Sequence, residues 1–405
     1  MNKMRLLASV LALGVGFTAV IDDAEAARRT SLAGNRLILD RTDTQIFPQL
    51  VLDYTNLLAL DYGAAAGSGS GLGILGSETM AFGLGLYRGD VLDYNLFPHE
   101  LGHPYLGGPD NLLGGAFPAP HTILDLMFGL DLGAGLLGVR LAFGNGGNSL
   151  TPADPDIGSS ESSQTFVRTD LGFSLRGNFR LDMALHLIFN GASVTAGDPV
   201  FDGSVFELGL TARAFMPLAA GVDLGILGDV VFDTARVTNY GGLPSEDFDT
   251  TANSFGLLAG AGPVYTIDGV TTLAGYAVLG VLTTSGVPNT EADDNAYTEY
   301  STSSIIIPGF HVAADIYLTE WLYFRSGMQY MFARNSRSDL VPPDGNTQQT
   351  TSRVSDFGWR AGLGLQLGNF ALDGALQHGF LTAGPNFLGG QSPGLFSSVA
   401  ASYRF

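Results

Sequence analysis

The chain has 405 residues, no cysteine and a formal net charge of -20. An acidic chain without clustered lysine and arginine does not favour nucleic acid as a partner, and a chain without cysteine has no disulfides and no thiolate metal sites. With 45% hydrophobic residues, the chain is also too apolar to be intrinsically disordered.

The N-terminus has the pattern of an export signal. Lys3 and Arg5 precede an apolar run over residues 6–20, and the A-x-A cleavage pattern Ala24-Glu25-Ala26 follows. The apolar run is shorter than the ~20 residues that a membrane-spanning helix needs. We therefore assign residues 1–26 to a signal peptide that is removed on export.

Residues 27–71 lack a regular alternation of polarity. Apolar runs at residues 46–53 and 57–60 are followed by a flexible stretch rich in glycine, alanine and serine at residues 63–71. We predict that residues 27–71 lie outside the wall of the β-barrel inferred below, as a periplasmic or lumen-plugging segment.

From residue 72 to residue 405, segments of about ten to fifteen residues alternate apolar and polar side chains. Phe179, Leu181 and Met183 share one face of such a segment, and Arg180 and Asp182 share the other. A strand with one apolar and one polar face fits a wall that has lipid outside and water inside.

The connections between these segments alternate in length. Short turns, such as those at residues 176–178 and 268–269, alternate with long polar loops, such as those at residues 89–120 and 145–163. Short periplasmic turns and long outer loops are the layout of outer-membrane barrels. Counting back from Phe405 predicts about 14 strands, an even number, and pairs the closing strand with residues 72–87.

The closing segment ends on an aromatic residue. Val399, Ala401, Tyr403 and Phe405 share its apolar face. A chain that ends in Tyr-x-Phe on such a strand resembles the closing strand of bacterial outer-membrane barrels, where the ending is read by the assembly machinery. Tyr403 and Phe405 are therefore the predicted assembly signal. The outer membrane of a Gram-negative bacterium is the predicted location, with outer-membrane lipid and the barrel-assembly machinery as partners.

A barrel of about 14 strands encloses a lumen unless something fills it. The charged residues that the alternation turns toward this lumen carry both signs. They are Arg140, Arg168, Asp170, Arg176, Arg180, Asp182, His186, Glu207, Arg213, Asp223, Asp229, His311, Asp315, Arg325, Arg360, Asp373 and Arg404. Because opposite charges inside a barrel normally pair, we expect a network of salt bridges; the alternative role is to line a solute path.

One motif points to different chemistry. The sequence His99-Glu100-Leu101-Gly102-His103 matches H-E-x-x-H, in which two histidines on a helix bind zinc and the glutamate activates water. Pro98 and Pro104 bracket it, which suits a loop better than a helix. We expect no enzyme activity and no cofactor; a zinc hydrolase, and adventitious metal binding by His99 and His103, are the minor alternatives.

The order of signal peptide, N-terminal segment, about 14 strands and terminal phenylalanine resembles the long-chain fatty-acid transporter family of outer-membrane proteins. In that family an N-terminal hatch plugs the lumen, and hydrophobic compounds leave sideways through the wall. The Asn-Pro-Ala hatch motif of the family is absent here. The resemblance implies an all-β, transmembrane antiparallel barrel over residues 72–405, preceded by a hatch-like segment.

The sequence thus predicts a porin-like outer-membrane channel or transporter that passes small or hydrophobic solutes and carries an N-terminal plug. The alternative is a structural or surface-interaction barrel with acidic outer loops and a closed lumen. The solute is unknown, and no nucleic acid is expected as a partner.

Overall fold

The computed structural model describes residues 27–63, 69–86, 121–150, 160–196, 198–239, 248–289, 300–341, 346–376 and 395–405. It begins with a short α-helix, α1 (Ala27–Ser31), and two 3-10 helices, Arg41–Gln45 and Pro48–Tyr54. No α-helix in these ranges is long and apolar enough to cross a membrane.

Sixteen strands follow and form a closed barrel in which each strand pairs with its neighbours. They are β1 (Leu57–Gly63), β2 (Gly69–Gly76), β3 (Met80–Leu86), β4 (His121–Asp131), β5 (Gly135–Leu150), β6 (Ser160–Arg176), β7 (Arg180–Ala196), β8 (Asp198–Ala219), β9 (Val222–Asn239), β10 (Phe248–Ile267), β11 (Thr271–Asn289), β12 (Tyr300–Thr319), β13 (Leu322–Val341), β14 (Asn346–Leu367), β15 (Phe370–Leu376) and β16 (Phe396–Arg404). All pairs are antiparallel, which confirms the predicted all-β barrel class.

The predicted count of about 14 strands is wrong. Residues 72–87, predicted as one strand, contribute to the hairpin of β2 and β3, whose turn is closed by a hydrogen bond from the Ser77 amide to the Met80 carbonyl oxygen (2.8 Å). β1 adds a further strand. The glycine-rich composition of β2 looks like a linker in the sequence, but its backbone groups are paired with strands on both sides.

The predicted partner of the closing strand is also wrong. β16 pairs with β1, with Leu57 opposite Arg404 and Gly63 opposite Ser398, and not with residues 72–87. The wall therefore begins at Leu57 rather than at residue 72. The sequence did not reveal this because β1 is short and follows an irregular segment.

The two faces of the wall differ in chemistry. In β3, Met80, Phe82 and Leu84 are exposed on the outer face, whereas Ala81 on the inner face is buried. Exposed leucine and phenylalanine side chains recur on the outer face of the other strands. A closed barrel with an apolar exterior has no unpaired edge and suits a lipid environment, so this chain is an outer-membrane barrel.

The main apolar core lies inside the barrel. Leu37, Phe47 and Leu50, which precede the first strand, are buried together with Val278 and Met331 of the wall. The inner surface of the wall is thus covered by residues 27–54, here called the N-terminal segment.

Candidate functional site in the lumen

The N-terminal segment occupies the lumen of the barrel. Its side chains hydrogen-bond to residues of β1, β6, β8 and β12. These strands lie on different sides of the closed wall. A segment that contacts all four of them must therefore lie inside the barrel.

Short-range hydrogen bonds give the segment a defined shape. Asp40 caps the first 3-10 helix: its Oδ1 accepts from the Thr42 amide (2.9 Å), and its own amide donates to Asp43 Oδ2 (3.1 Å). Arg29 Nη2 donates to Asp43 Oδ1 (2.6 Å) and so connects α1 to this helix. Pro48 is the first residue of the second 3-10 helix, a position where its missing N–H costs nothing.

Arg213 of β8 is the central cation of the contact between wall and segment. Its Nη1 lies 2.8 Å from Asp43 Oδ2 in the segment, and its Nη2 lies 3.0 Å from Asp182 Oδ2 in β7. Its guanidinium also lies 4.9 Å from the ring centroid of Phe47. All of these charged groups are buried, and a buried charge is tolerated when it is paired and hydrogen-bonded in this way.

The carboxylates of the segment are held in their charged form. Burial alone would raise the pKa of Asp43, but the guanidinium groups of Arg213 and Arg29 lower it below its ordinary value. Burial acts on Asp40 in the same direction, and Arg28 and Arg29 likewise lower the pKa of Asp40 below its ordinary value. Both aspartates are therefore ionised at neutral pH.

A second buried cluster is built on β4 to β7. Arg140 Nε lies 2.7 Å from Asp125 Oδ1, and Arg168 Nε lies 2.8 Å from Asp170 Oδ2. His186 Nδ1 lies 3.0 Å from Asp170 Oδ1. The cluster therefore joins four neighbouring strands through their inward side chains.

The same two arginines also hold the N-terminal segment. Arg140 Nη1 and Arg168 Nη2 both donate to the carbonyl oxygen of Gln45, the latter over 3.1 Å. Gln45 ends the first 3-10 helix, where carbonyl groups lack partners within the helix. The wall thus provides the hydrogen bonds that this helix end needs.

On the opposite side, charges alternate along a chain of contacts. Arg28 Nη2 of α1 lies 2.7 Å from Asp315 Oδ2, and Arg325 Nε lies 3.0 Å from Asp315 Oδ1. Arg325 also contacts Asp373 of β15. Through Asp315 and Arg325, α1 is therefore connected to β12, β13 and β15.

Toward the short-turn end of the barrel, the arginines that form ion pairs are more exposed to solvent. Arg176 Nη2 pairs with Asp53 of the second 3-10 helix, and the Arg176 side chain is 42% exposed. Arg180 Nη2 lies 3.5 Å from the same carboxylate and Arg180 Nε lies 3.0 Å from Asp182 Oδ2. The Arg176–Asp53 pair, with both side chains partly exposed, contributes little to stability.

Further polar groups face the lumen beyond the segment. Glu207 of β8 and Asp233 of β9 are direct cross-strand partners, and both are buried. The ring of His311 stacks on Tyr276 with 4.7 Å between centroids. These groups share the inner face of β8 to β12.

Most of the predicted lumen residues are buried in the structure. The buried set is Arg140, Arg168, Asp170, Asp182, His186, Glu207, Arg213, Asp229, His311, Asp315 and Arg325. Arg180, Asp223, Arg360 and Asp373 are half-buried, and Arg176 and Arg404 are exposed. Asp223 and Arg404 form no ion pair with any residue in the described ranges.

Several buried polar residues lie outside the predicted set. Asp125 and Asp233 are buried on the inner face. Strand alternation predicts the inward position of Asp125, because this residue lies between the apolar residues Leu124 and Leu126, which are exposed. Asp43 and Gln49 of the segment carried no such signal, because their environment is created by distant strands.

His99 and His103 lie outside the described residues. Within the part of the chain that the structure describes, no group of three or more histidine, aspartate or glutamate side chains could hold a metal ion.

No protein-family model and no curated protein matches the chain. Among solved structures, the alcaligin outer-membrane receptor FauA from Bordetella pertussis is 10% identical with a TM-score of 0.41, over 79% of this chain and 59% of that one. The siderophore receptor PiuA from Acinetobacter baumannii is 8% identical with a TM-score of 0.39, over 63% of this chain and 47% of that one.

The toluene transporter TodX from Pseudomonas putida is 9% identical with a TM-score of 0.39, over 95% of this chain and 97% of that one. The chain therefore spans less than two thirds of FauA and PiuA and nearly the whole of TodX. At these identities and TM-scores, the likenesses carry no conclusion about activity.

Proposed function

We propose that this protein is an outer-membrane transporter for small or hydrophobic solutes whose lumen is plugged by residues 27–54. The observation that supports this most strongly is the attachment of the N-terminal segment to several sides of the inner wall, with the Arg213–Asp43 pair at its centre. A barrel of 16 strands leaves an aqueous channel when nothing fills it. A segment in that space therefore decides whether solutes pass.

The way in which the segment is attached favours a releasable plug. The hydrogen bonds between strands close the barrel without any bond from residues 27–54. The segment is held by apolar contacts of residues such as Phe47, and by ion pairs and side-chain hydrogen bonds, whose groups can be hydrated once water enters the lumen. Displacement of the segment would therefore leave the wall intact.

The second candidate is a structural barrel whose lumen stays closed. The observation that favours it is the set of wall-to-wall ion pairs, such as Arg140 with Asp125 and Arg213 with Asp182, which are buried and do not depend on the segment. Such pairs would stiffen the inner wall even after the segment had left. The two candidates differ in whether an ion current appears when the segment moves.

A disulfide between segment and wall provides the test, because the chain has no cysteine of its own. A Cβ atom at Gly129 of β4 would lie 2.7 Å from Cγ2 of Val51 in the segment. Val51→Cys combined with Gly129→Cys therefore places two thiols within reach of each other. The matched controls are Val51→Cys alone and the reduced double variant, neither of which contains this bond.

Single-channel recording would use urea at a concentration that releases the segment while the barrel remains folded on unheated gels. We expect the untethered chain to conduct, the oxidised double variant to remain silent, and reduction to restore its current. A chain without residues 27–54 should conduct in the absence of urea. Silence of this deletion variant in its folded form, together with silence in urea, would establish the structural barrel instead.

A further inference from the structure

Two arginines stand opposite each other on the outer face of the wall. Arg334 of β13 and Arg353 of β14 are direct cross-strand partners, and both are exposed. They share the face of Phe332 and Phe357, whose side chains are also exposed, because strand residues two or four apart point the same way. Like charges at directly opposite positions destabilise a sheet. An anion bound between the two arginines would remove this repulsion.

The pair lies where the apolar exterior ends. On β13, the outward side chains over residues 324–332 are mostly aromatic or apolar, and this length matches the ~9–11 residues with which a strand crosses the membrane. Arg334 is the next outward residue. The short turn to β13 lies at the other end of the strand, so the two arginines stand at the headgroup level of the outer leaflet.

Neither Arg334 nor Arg353 forms an ion pair with any of the described residues. Their outward neighbours are Ile305, opposite Arg334, and the hydroxyl residues Ser336 and Thr351 in the next row. Residues 377–394, which follow β15, contain no aspartate or glutamate.

A depression on the same face begins one row beyond the two arginines, at Ser336. It has a volume of about 430 Å³, and its lining combines the aromatic side chains of Phe232 and Phe255 with hydroxyl and amide side chains such as Ser303 and Gln349. Gln349 Nε2 donates to Ser336 Oγ over 3.3 Å. Hydroxyl and amide groups of this kind suit the oxygen atoms of a lipid headgroup.

We propose that Arg334 and Arg353 together bind the phosphate of an anionic outer-leaflet lipid. A phosphate between two guanidinium groups accepts charge-assisted hydrogen bonds from both and removes their mutual repulsion. The depression would contact the rest of the headgroup, and Phe332 and Phe357 would lie beside the acyl chains. This site is on the outside of the wall and does not depend on the transport proposal.

Native mass spectrometry in a nonionic detergent tests the site with two probes, dioleoyl phosphatidic acid and dioleoylglycerol, which differ only in the phosphate. We expect Arg334→Gln combined with Arg353→Gln to weaken phosphatidic acid binding at least about tenfold and to leave dioleoylglycerol unaffected. Arg236→Gln is the control, because this outward arginine has Ser204 and Thr251 opposite it. Equal phosphatidic acid binding by the double variant and the unaltered chain would overturn the proposal. Equally tight binding of inorganic phosphate would point to a free anion instead of a lipid.

Thermal unfolding provides a second readout. The difference in unfolding temperature between the Arg334→Gln variant and the unaltered chain should depend on whether phosphatidic acid is present. In detergent alone, Arg334→Gln should unfold at the same or a higher temperature than the unaltered chain, because repulsion with Arg353 is removed. With phosphatidic acid added, the same variant should unfold at a lower temperature than the unaltered chain. A variant that is less stable in both conditions would show that Arg334 has a structural role, contrary to the proposal.

Discussion

Arg213 of the wall and Asp43 of the N-terminal segment form a buried ion pair, with 2.8 Å between Nη1 and Oδ2. The same guanidinium binds Asp182 on the neighbouring strand over 3.0 Å. One cation is thus shared between a carboxylate that belongs to the barrel and a carboxylate that would leave with the segment. Docking of the segment should therefore depend on this arginine more than on any exposed contact.

Replacing Arg213 by methionine should release the segment. The change leaves Asp43 and Asp182 in buried positions without this cation, and breaking a buried pair typically costs about 3–5 kcal/mol. We expect much faster trypsin cleavage at Arg36 and Arg41, since cleavage follows the population of the open form. The control is Arg176→Gln, which removes a partly exposed pair with Asp53 and should cost less than about 1 kcal/mol. Equal cleavage rates in the two variants would contradict this prediction.

Docking of the segment should weaken in acid. The pKa values of Asp40 and Asp43 are lowered in the folded state, so their contribution is complete above the ordinary aspartate pKa of about 4 and is lost as the pH falls below it. Hydrogen exchange of residues 27–54, followed from about pH 7 to about pH 3, should show constant protection near neutrality and a loss at the acid end. Asp43→Asn should reduce the protection of residues 27–54 at neutral pH and make protection depend less on pH. If protection in this variant depended on pH as strongly as in the unaltered chain, Asp43 would not be a source of the pH dependence.

A side chain at Gly138 should displace the second 3-10 helix. A Cβ atom there would lie 2.0 Å from the backbone nitrogen of Gln49, and a backbone atom cannot rotate away as a flexible side chain can. Gly138→Ala should therefore cost about 1–3 kcal/mol of docking free energy and increase both trypsin cleavage of the segment and channel current. Gly73→Ala is the matched control, because a Cβ at Gly73 meets nothing within 4 Å. Unchanged cleavage in Gly138→Ala would mean that the segment does not depend on this close contact.

Phe405, a residue of the predicted assembly signal, should affect assembly more than stability. The side chain of Phe405 is 57% exposed, and its amide donates to the Asn56 carbonyl oxygen over 2.9 Å, a backbone bond that a substitution keeps. Phe405→Ala should change the unfolding free energy of the refolded barrel by less than about 1 kcal/mol. In cells it should lower the amount of folded protein in the outer membrane, and Leu58→Ala, at another exposed position, should not. Normal amounts of Phe405→Ala would remove Phe405 from the assembly signal.

The inward charged residues show that strand alternation predicts the face of a side chain but not its partner. Strand alternation alone predicts that Arg140, Arg168 and Asp182 face the lumen, and all three side chains are buried. Parity could not predict that Arg140 and Arg168 meet at one carbonyl oxygen of Gln45, because that atom lies in a segment without any periodic pattern. The sequence also does not predict the hairpin of β2 and β3, because the glycine-rich composition of β2 looks like a linker.

By itself, the sequence determined the fold class and the two faces of each long strand, because the two-residue period of a strand is a local property. The tertiary structure decided which strand closes the barrel and which charges meet. Asp43 and Arg213 are separated by 170 residues, and Arg28 and Asp315 by 287. Contacts at such separations depend on the register and closure of the whole barrel. No local pattern near Asp43 predicts which strand carries the arginine that pairs with it.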